Sequence, residues 1–249
     1  MERTPNMRKL LMILSVMAVM LTVWNCGGGG VTGPSLQAYV LHNPGLLGKV
    51  NLLNGSQVGS NVNLTGNIRE IATRPTDGQL YGLGSDLKLY SINATTGACI
   101  AISASALAID GYNGGFDFEG ASTIRFTSVN KHNYRINVSD GTLAGTDTDA
   151  DIQVVGLAYN FENGDTFACT AGTDALYKST NAAGGAYSLI GNFSVNLSGD
   201  VGFAFDPITG QGYVVANEGL YRVNVSNGSM VQLNNTSYDA IAMIRSFGI

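Results

Sequence analysis

Residues 78–97 read GQLYGLGSDLKLYSINATTG: two short apolar-aromatic runs, a small polar break between them, and a Gly-ended polar tail. The alternation suits paired strands, because neighbouring strand side chains face opposite ways. SDLK reads as the turn, LYSIN as the next strand, and NATTG as a hairpin ending in Gly. NVSDG (137–141) and NVSNG (224–228) repeat that tail, so the Asn-x-Ser/Thr triplets are read as turn chemistry and not as glycan sites.

The same sentence is written five times. The runs LQAYVLH, GQLYGLG, STIRFTSV, GDTFACT and GQGYVVAN align on Tyr39, Tyr81, Phe126, Phe167 and Tyr213, spaced 42, 45, 41 and 46 residues apart. LGKVN, LYSIN, NYRIN, LYKST and LYRVN follow them and align on Gly48, Tyr90, Tyr134, Tyr177 and Tyr221, spaced 42, 44, 43 and 44. An earlier strand recurs as EIATRP, GFDFEG, GLAYNF and GFAFDP. In it Ile71, Phe116, Leu157 and Phe203 each stand ten residues before the aromatic of the second strand. A period near 43 with four strands per unit is a propeller period. The first unit lacks its opening strand, and YDAIAMIRSFGI at the C-terminus supplies it. The sequence therefore predicts an all-β fold: a five-bladed β-propeller of four-stranded antiparallel blades, its ring closed by the C-terminal strand. A β-sandwich or an open stack of meanders is the competing reading.

Composition agrees. Of 249 residues, 33 are Gly and only 12% are charged, which favours short strands and tight turns over long surface helices. The net charge is −5, with no Lys/Arg cluster beyond the N-terminus. Nucleic acid is therefore excluded as a main partner.

The N-terminus carries an address. Arg8 and Lys9 precede an uncharged stretch from Leu10 to Val23, followed by Cys26 and four glycines. The stretch suits a signal peptide and is short for a membrane span. The whole resembles a bacterial lipoprotein signal, in which the Cys carries lipid. Trp24 and Asn25 depart from the small residue such signals prefer before the Cys. An ordinary signal peptide or an uncleaved anchor are the other readings. The expected organisation is a signal peptide over 1–25, a lipid-attachment Cys and Gly-rich tether over 26–34, and a β-propeller over 35–249. Removing residues 1–25 leaves 10 basic against 17 acidic residues, net −7. The expected location is the outer membrane or cell surface, with the periplasm second; the expected partner is an envelope protein or glycan, and the chain is expected to be a monomer. Cys99 and Cys169 fall on blades two and four in this register. That separation exceeds the ~7 Å Cα distance a disulfide tolerates, so two free thiols are expected.

The run GFDFEGASTIRFTSVNKHNYRINVSDGTLAGTDTD (115–149), with LYSINATTG before it, resembles a bacterial exported family known as a domain of unknown function, number four-three-nine-four. The family pattern is Phe-Asp-Phe-Asn-Pro, then Arg-Val-Val-Ser, Asn-Leu-Arg and Asp-x-x-Thr-Gly. Phe116-Asp117-Phe118 and Asn133-Tyr134-Arg135 match it, Ile124-Arg125-Phe126 matches loosely, and Glu119-Gly120 replaces Asn-Pro. The resemblance implies a propeller-like repeat and an exported life, and carries no activity.

No nucleophile motif, phosphate loop or zinc spacing is present. His42 and His132 lie in turns on the face made by the second-to-third-strand turns and the blade connections. Asp86, Asp174 and Glu218 occupy corresponding turns there, and Asp110, Asp147, Asp149, Asp151, Asp200 and Asp239 lie in blade connections. An acidic face of this kind is a candidate site for a cation or a basic partner; equally, turns simply favour Asp. Asp147, Asp149 and Asp151 alternate in DTDAD and form a candidate Ca²⁺ site, although the loop lacks the Gly and distant Glu of an EF-hand. No other cofactor is expected. Asp117 shares its strand position with Ala72, Ala158 and Ala204, and Arg125 one strand over is expected to neutralise it. The reading is a binding module without catalysis. The alternative is a hydrolase or lyase acting on a sugar or lactone through paired carboxylates at the channel mouth.

Overall fold

The computed structural model describes residues 36–206 and 208–244. The Cys26 reading, the signal and the tether lie outside the described residues. Among the described residues, twenty strands form five four-stranded antiparallel sheets. Blade one contains β1 (Gln37–Asn43), β2 (Leu46–Asn51), β3 (Val62–Asn63) and the last strand, β20 (Ala240–Ile244). Blade two is β4 (Ile68–Thr73), β5 (Leu80–Gly84), β6 (Leu89–Ile92) and β7 (Cys99–Ala101). Blade three is β8 (Gly114–Phe118), β9 (Thr123–Ser128), β10 (Asn133–Asn137) and β11 (Leu143–Asp147). Blade four is β12 (Gly156–Tyr159), β13 (Thr166–Thr170), β14 (Ala175–Ser179) and β15 (Ser188–Asn192). Blade five is β16 (Gly202–Asp206), β17 (Gln211–Ala216), β18 (Gly219–Asn224) and β19 (Met230–Asn234). The chain is thus a five-bladed β-propeller.

Ring closure is made by β20, which pairs β1 with Ala38 opposite Met243 and Val40 opposite Ile241. The inner strands pack around the ring in the order β4, β8, β12, β16, β20 and back to β4. Closure removes the open ends that a stack of sheets would leave.

Local chemistry makes the hairpins. The Asn93 side chain accepts the Thr95 and Thr96 amides, each at 3.0 Å, and Gly97 closes the turn at φ +77°. Asn51/Gly55, Asn137/Gly141 and Asn224/Gly228 repeat the arrangement. A side chain is excluded at Gly97 twice over: left-handed φ disfavours it, and a Cβ there would collide with the Asn63 carbonyl of blade one. Blade four departs, with a short 3₁₀ turn at Ala182–Gly184.

The core lies between blades. Tyr81 of blade two meets Phe118 of blade three edge-on, with centroids 5.3 Å apart, and Phe167 of blade four meets Phe205 of blade five at 5.2 Å. Cys99 and Cys169 are free. Cys169 is wholly buried, and burial pushes its thiol up.

One alignment is corrected. In blades two, four and five the third-strand tyrosines 90, 177 and 221 pair with Gly82, Ala168 and Val214, the residues just after Tyr81, Phe167 and Tyr213. In blade three Tyr134 pairs with Phe126 itself. The residue in the aromatic slot is therefore Arg125, which faces Asp117 as Tyr81 faces Ala72 and Tyr213 faces Ala204. The cause is turn length. Glu119 N–H bonds Thr123 O across a three-residue turn, whereas Arg74 N–H bonds Gln79 O across four residues. A one-residue difference moves every following side chain to the other face.

Candidate functional site at the channel mouth

All five inner strands begin on the same face as the second-to-third-strand turns. The residue preceding Ile71, Phe116, Leu157, Phe203 and Ile241 points around the ring toward the next inner strand. In four blades it is small: Gly115, Gly156, Gly202 and Ala240. Close packing requires this. A Cβ at Gly202 would lie 2.7 Å from the Ile241 nitrogen, one at Gly156 3.1 Å from Phe203 Cβ, and one at Gly115 would overlap Leu157 Cβ. In blade two the residue is Glu70. It is accommodated beside a β-bulge, where Ile68 pairs with Gly84 and Glu70 with Leu83, leaving Arg69 as the extra residue.

Glu70 is 8% exposed and lines a cavity of about 70 Å³ with Asn113, Gly114, Val155, Asp200 and Val201. Among the described residues none makes a hydrogen bond to its carboxyl group. Burial pushes that carboxyl well above the usual range; Asp200 and Asp239 push it further, and Arg69 opposes them. Asp239 is raised for the same reasons, burial first. The Arg69 guanidinium lies 3.6 Å from Asp200 and stacks 4.6 Å from the Tyr112 ring centroid. Its Nε is buried without a hydrogen-bond partner. Blades two and five thus bring Glu70 and Asp200 to one opening, and the Asp239 carboxyl of blade one lies close enough to raise Glu70 electrostatically.

The other sequence-predicted residues are distributed around the rim and engaged locally. Asp86 accepts the Tyr90 hydroxyl at 2.8 Å. Asp174 accepts the Leu197 amide at 2.8 Å, and Glu218 takes both the amide and the hydroxyl of Ser198. His42 packs 5.0 Å from the Tyr238 ring, and burial lowers its pKa against a hydrogen bond that its ring donates to Asn61. His132 Nδ1 lies 2.8 Å from Asp110 Oδ2, a bond that raises the histidine's pKa. Partial burial pushes Asp110 up, but bonds from His132, Asn130 and Ser128 outweigh it and hold the carboxylate below its ordinary value. Asp147 is paired with Arg125 and Arg135, each at 3.0 Å; Asp151 accepts the Tyr187 amide at 3.1 Å; Asp149 is exposed. Among the described residues no three His, Cys, Asp or Glu side chains gather in a geometry that could hold a metal ion.

The interface between blades three and four is polar where other interfaces carry an aromatic side chain. Arg125 is 1% exposed; its Nη2 donates to both Glu119 oxygens at 2.8 and 2.7 Å, and its Nη1 to Asn133 at 2.6 Å. Asp117 accepts the Phe118 amide and, across the interface, the Tyr159 amide, both at 2.8 Å. Arg125 is paired and hydrogen-bonded within blade three, as a buried guanidinium must be, and the bonds that cross to blade four are those of Asp117 with Tyr159 and of Asn133 Nδ2 with the Ala182 carbonyl at 2.7 Å.

Sequence reasoning identified Asp200 and Asp239 as part of an acidic face and overlooked Glu70, Arg69 and Tyr112. The signal was available: in EIATRP, GFDFEG, GLAYNF and GFAFDP, Glu70 occupies a column that is otherwise Gly.

Fold and site together define a closed five-bladed propeller with a carboxylate-lined channel mouth. The chain belongs to the family described as Domain of unknown function (DUF4394), whose model matches residues 49–244. No curated protein matches it. Among solved structures it is similar to a chain in the crystal structure of a nidogen/laminin complex. That match has a TM-score of 0.59 and 14% identity, and covers 86% of this chain and 82% of the other. At that identity the likeness concerns the fold alone.

Proposed function

We propose that the chain is an exported, lipid-tethered propeller that binds a protein or glycan in the bacterial cell envelope, with the channel-mouth face as its docking surface. The observation that carries this is the form of the site. An unpaired buried carboxyl group opens into a cavity of about 70 Å³, far below the ~300 Å³ at which small-molecule pockets begin. Such an opening suits a protruding group of a larger partner and not an enclosed substrate. The tether reading is supported by Cys26, which stands between an uncharged stretch and a Gly-rich segment.

The raised carboxyl groups of Glu70 and Asp239 favour a second reading, a hydrolase or lyase using one of them as general acid. Envelope extract passed over the immobilised full-length chain separates the two. Saturable retention of one component supports the module. Turnover of glycan or lactone substrates, lost in Glu70→Gln and with nothing retained, supports the enzyme. For the tether, Cys26→Ala is expected to release the chain from the membrane fraction or block its processing; wild-type fractionation would refute lipidation.

A further inference from the structure

Glu70 is a group out of place in a ring that otherwise admits only Gly or Ala at its position. Burying a carboxyl group without a hydrogen-bond donor is costly, and the bulge at Arg69 that accommodates it disrupts the ladder. The neighbouring charges increase that cost: Asp200 and Asp239 oppose ionisation of Glu70, and only Arg69 offsets them. Arg69 itself lies against Asp200 and Tyr112, so the mouth keeps an excess of acceptors over donors.

We propose that the channel mouth binds a primary ammonium group, the side chain of a lysine presented by the partner, with Glu70 as its ion-pair acceptor and Asp200 as a flanking acceptor. An ammonium group is a compact charge with three donors at the end of a slender four-carbon stem. That shape suits an opening of about 70 Å³ lined by the carboxylates of Glu70 and Asp200 from two blades. A guanidinium is broader and planar, and needs a bidentate acceptor in its plane. A bare divalent ion needs several oxygens converging on one point, and the described acidic groups do not gather in that way. A lysine stem would also lie along Val155 and Val201 at the cavity wall.

The inference rests on the binding-module reading and has a signature of its own. Burial and Asp200 raise the Glu70 carboxyl, so at any pH where it is still protonated a bound ammonium ion forms its pair only after the carboxyl releases that proton to the buffer. The products are a carboxylate–ammonium pair and one free proton, and affinity rises with pH. The groups facing Glu70 are Arg69 on its own strand, Asp200 before β16 and Asp239 before β20.

The test is calorimetric titration of the purified full-length chain with the peptide Ac-Gly-Lys-Gly-NH₂, repeated in buffers of different ionisation enthalpy. The expected result is binding with net proton release, lost when the lysine is Nε-acetylated. Glu70→Gln should weaken it at least about thirtyfold, the cost of removing one member of a desolvated charge pair, and abolish proton release. Asp200→Asn, farther out in the mouth, should weaken it with proton release retained, so the proposal stays testable if the Glu70 variant misfolds. Equal binding of the acetylated peptide, unchanged affinity in both variants, or no binding by wild type overturns the proposal. Binding of cadaverine without binding of the peptide overturns the assignment to a partner's lysine. An envelope component retained equally by wild type and Glu70→Gln refutes the site and leaves the module standing. Peptide binding with nothing retained from the envelope refutes the module and leaves the site.

Discussion

Deletion of residues 240–249 removes β20, and the structure sets what this should cost. Ala240, Ile241, Ala242 and Met243 are each no more than 6% exposed. Burying Ile and Met side chains contributes about 1.5–3 kcal/mol each, and each Ala methyl about 0.8 kcal/mol, so roughly 5–8 kcal/mol of apolar burial is lost. Further losses accompany it. β1 loses the partner strand that pairs it from Gln37 to Leu41, and Thr73 loses its 2.6 Å bond to the Met243 carbonyl. β4 and β16 lose the strand between them. Against a total stability of about 5–15 kcal/mol, the truncated chain should be largely unfolded or close to it. Urea unfolding followed by circular dichroism measures the loss. Adding a synthetic peptide of residues 238–249 should restore the midpoint, because what is missing is a strand and not a covalent connection. A truncated chain whose stability stays within about 1 kcal/mol of wild type would refute closure by β20.

Further outcomes follow from the same geometry. For Glu70, the folded carboxyl keeps its proton where the unfolded one, at its ordinary value of 4.5, has lost it. Stability should therefore fall as pH rises above that value, by up to about 1.4 kcal/mol per pH unit, and Glu70→Gln should flatten the dependence; parallel urea-unfolding profiles for the two chains would contradict this. Arg125→Ala leaves Glu119 without its cation and the nearly buried Asp147 with Arg135 alone, and should cost about 3–5 kcal/mol by urea unfolding, with a cost under about 1 kcal/mol refuting the network's role. His132 should titrate above its ordinary value by NMR and return to it in Asp110→Asn; an unchanged titration would contradict the pairing. Because Arg125 and Arg135 already hold Asp147, millimolar Ca²⁺ should raise the thermal midpoint no more than NaCl at matched ionic strength. A Ca²⁺-specific rise lost in Asp149→Asn would establish the DTDAD loop as a metal site.

Much of the fold is legible in the chain because its determinants are local and repeated. Strand alternation, Asn-to-Gly turns and a period near 43 specify a four-stranded unit. Five copies, with a missing first strand and a spare last one, specify a closed ring. The candidate site was only half legible. Asp200 and Asp239 declare themselves as polar residues in blade connections. Glu70 sits inside a strand, and its departure from a Gly column has meaning only once that column is seen to face the next inner strand.

Two things were decided by the tertiary structure alone. Glu70, Asp200 and Asp239 are far apart along the chain and meet because ring closure sets the starts of β4, β16 and β20 side by side; no local pattern encodes a distance across a channel. The buried slot of blade three passed from Phe126 to Arg125 because its first turn is one residue shorter. Aligning aromatic residues hides such a shift, since side chains alternate with a period of two and one residue exchanges the faces. The sequence by itself determined how many blades there are and how they close; packing between blades determined which side chains are enclosed with one another, and so where the unpaired carboxyl group lies.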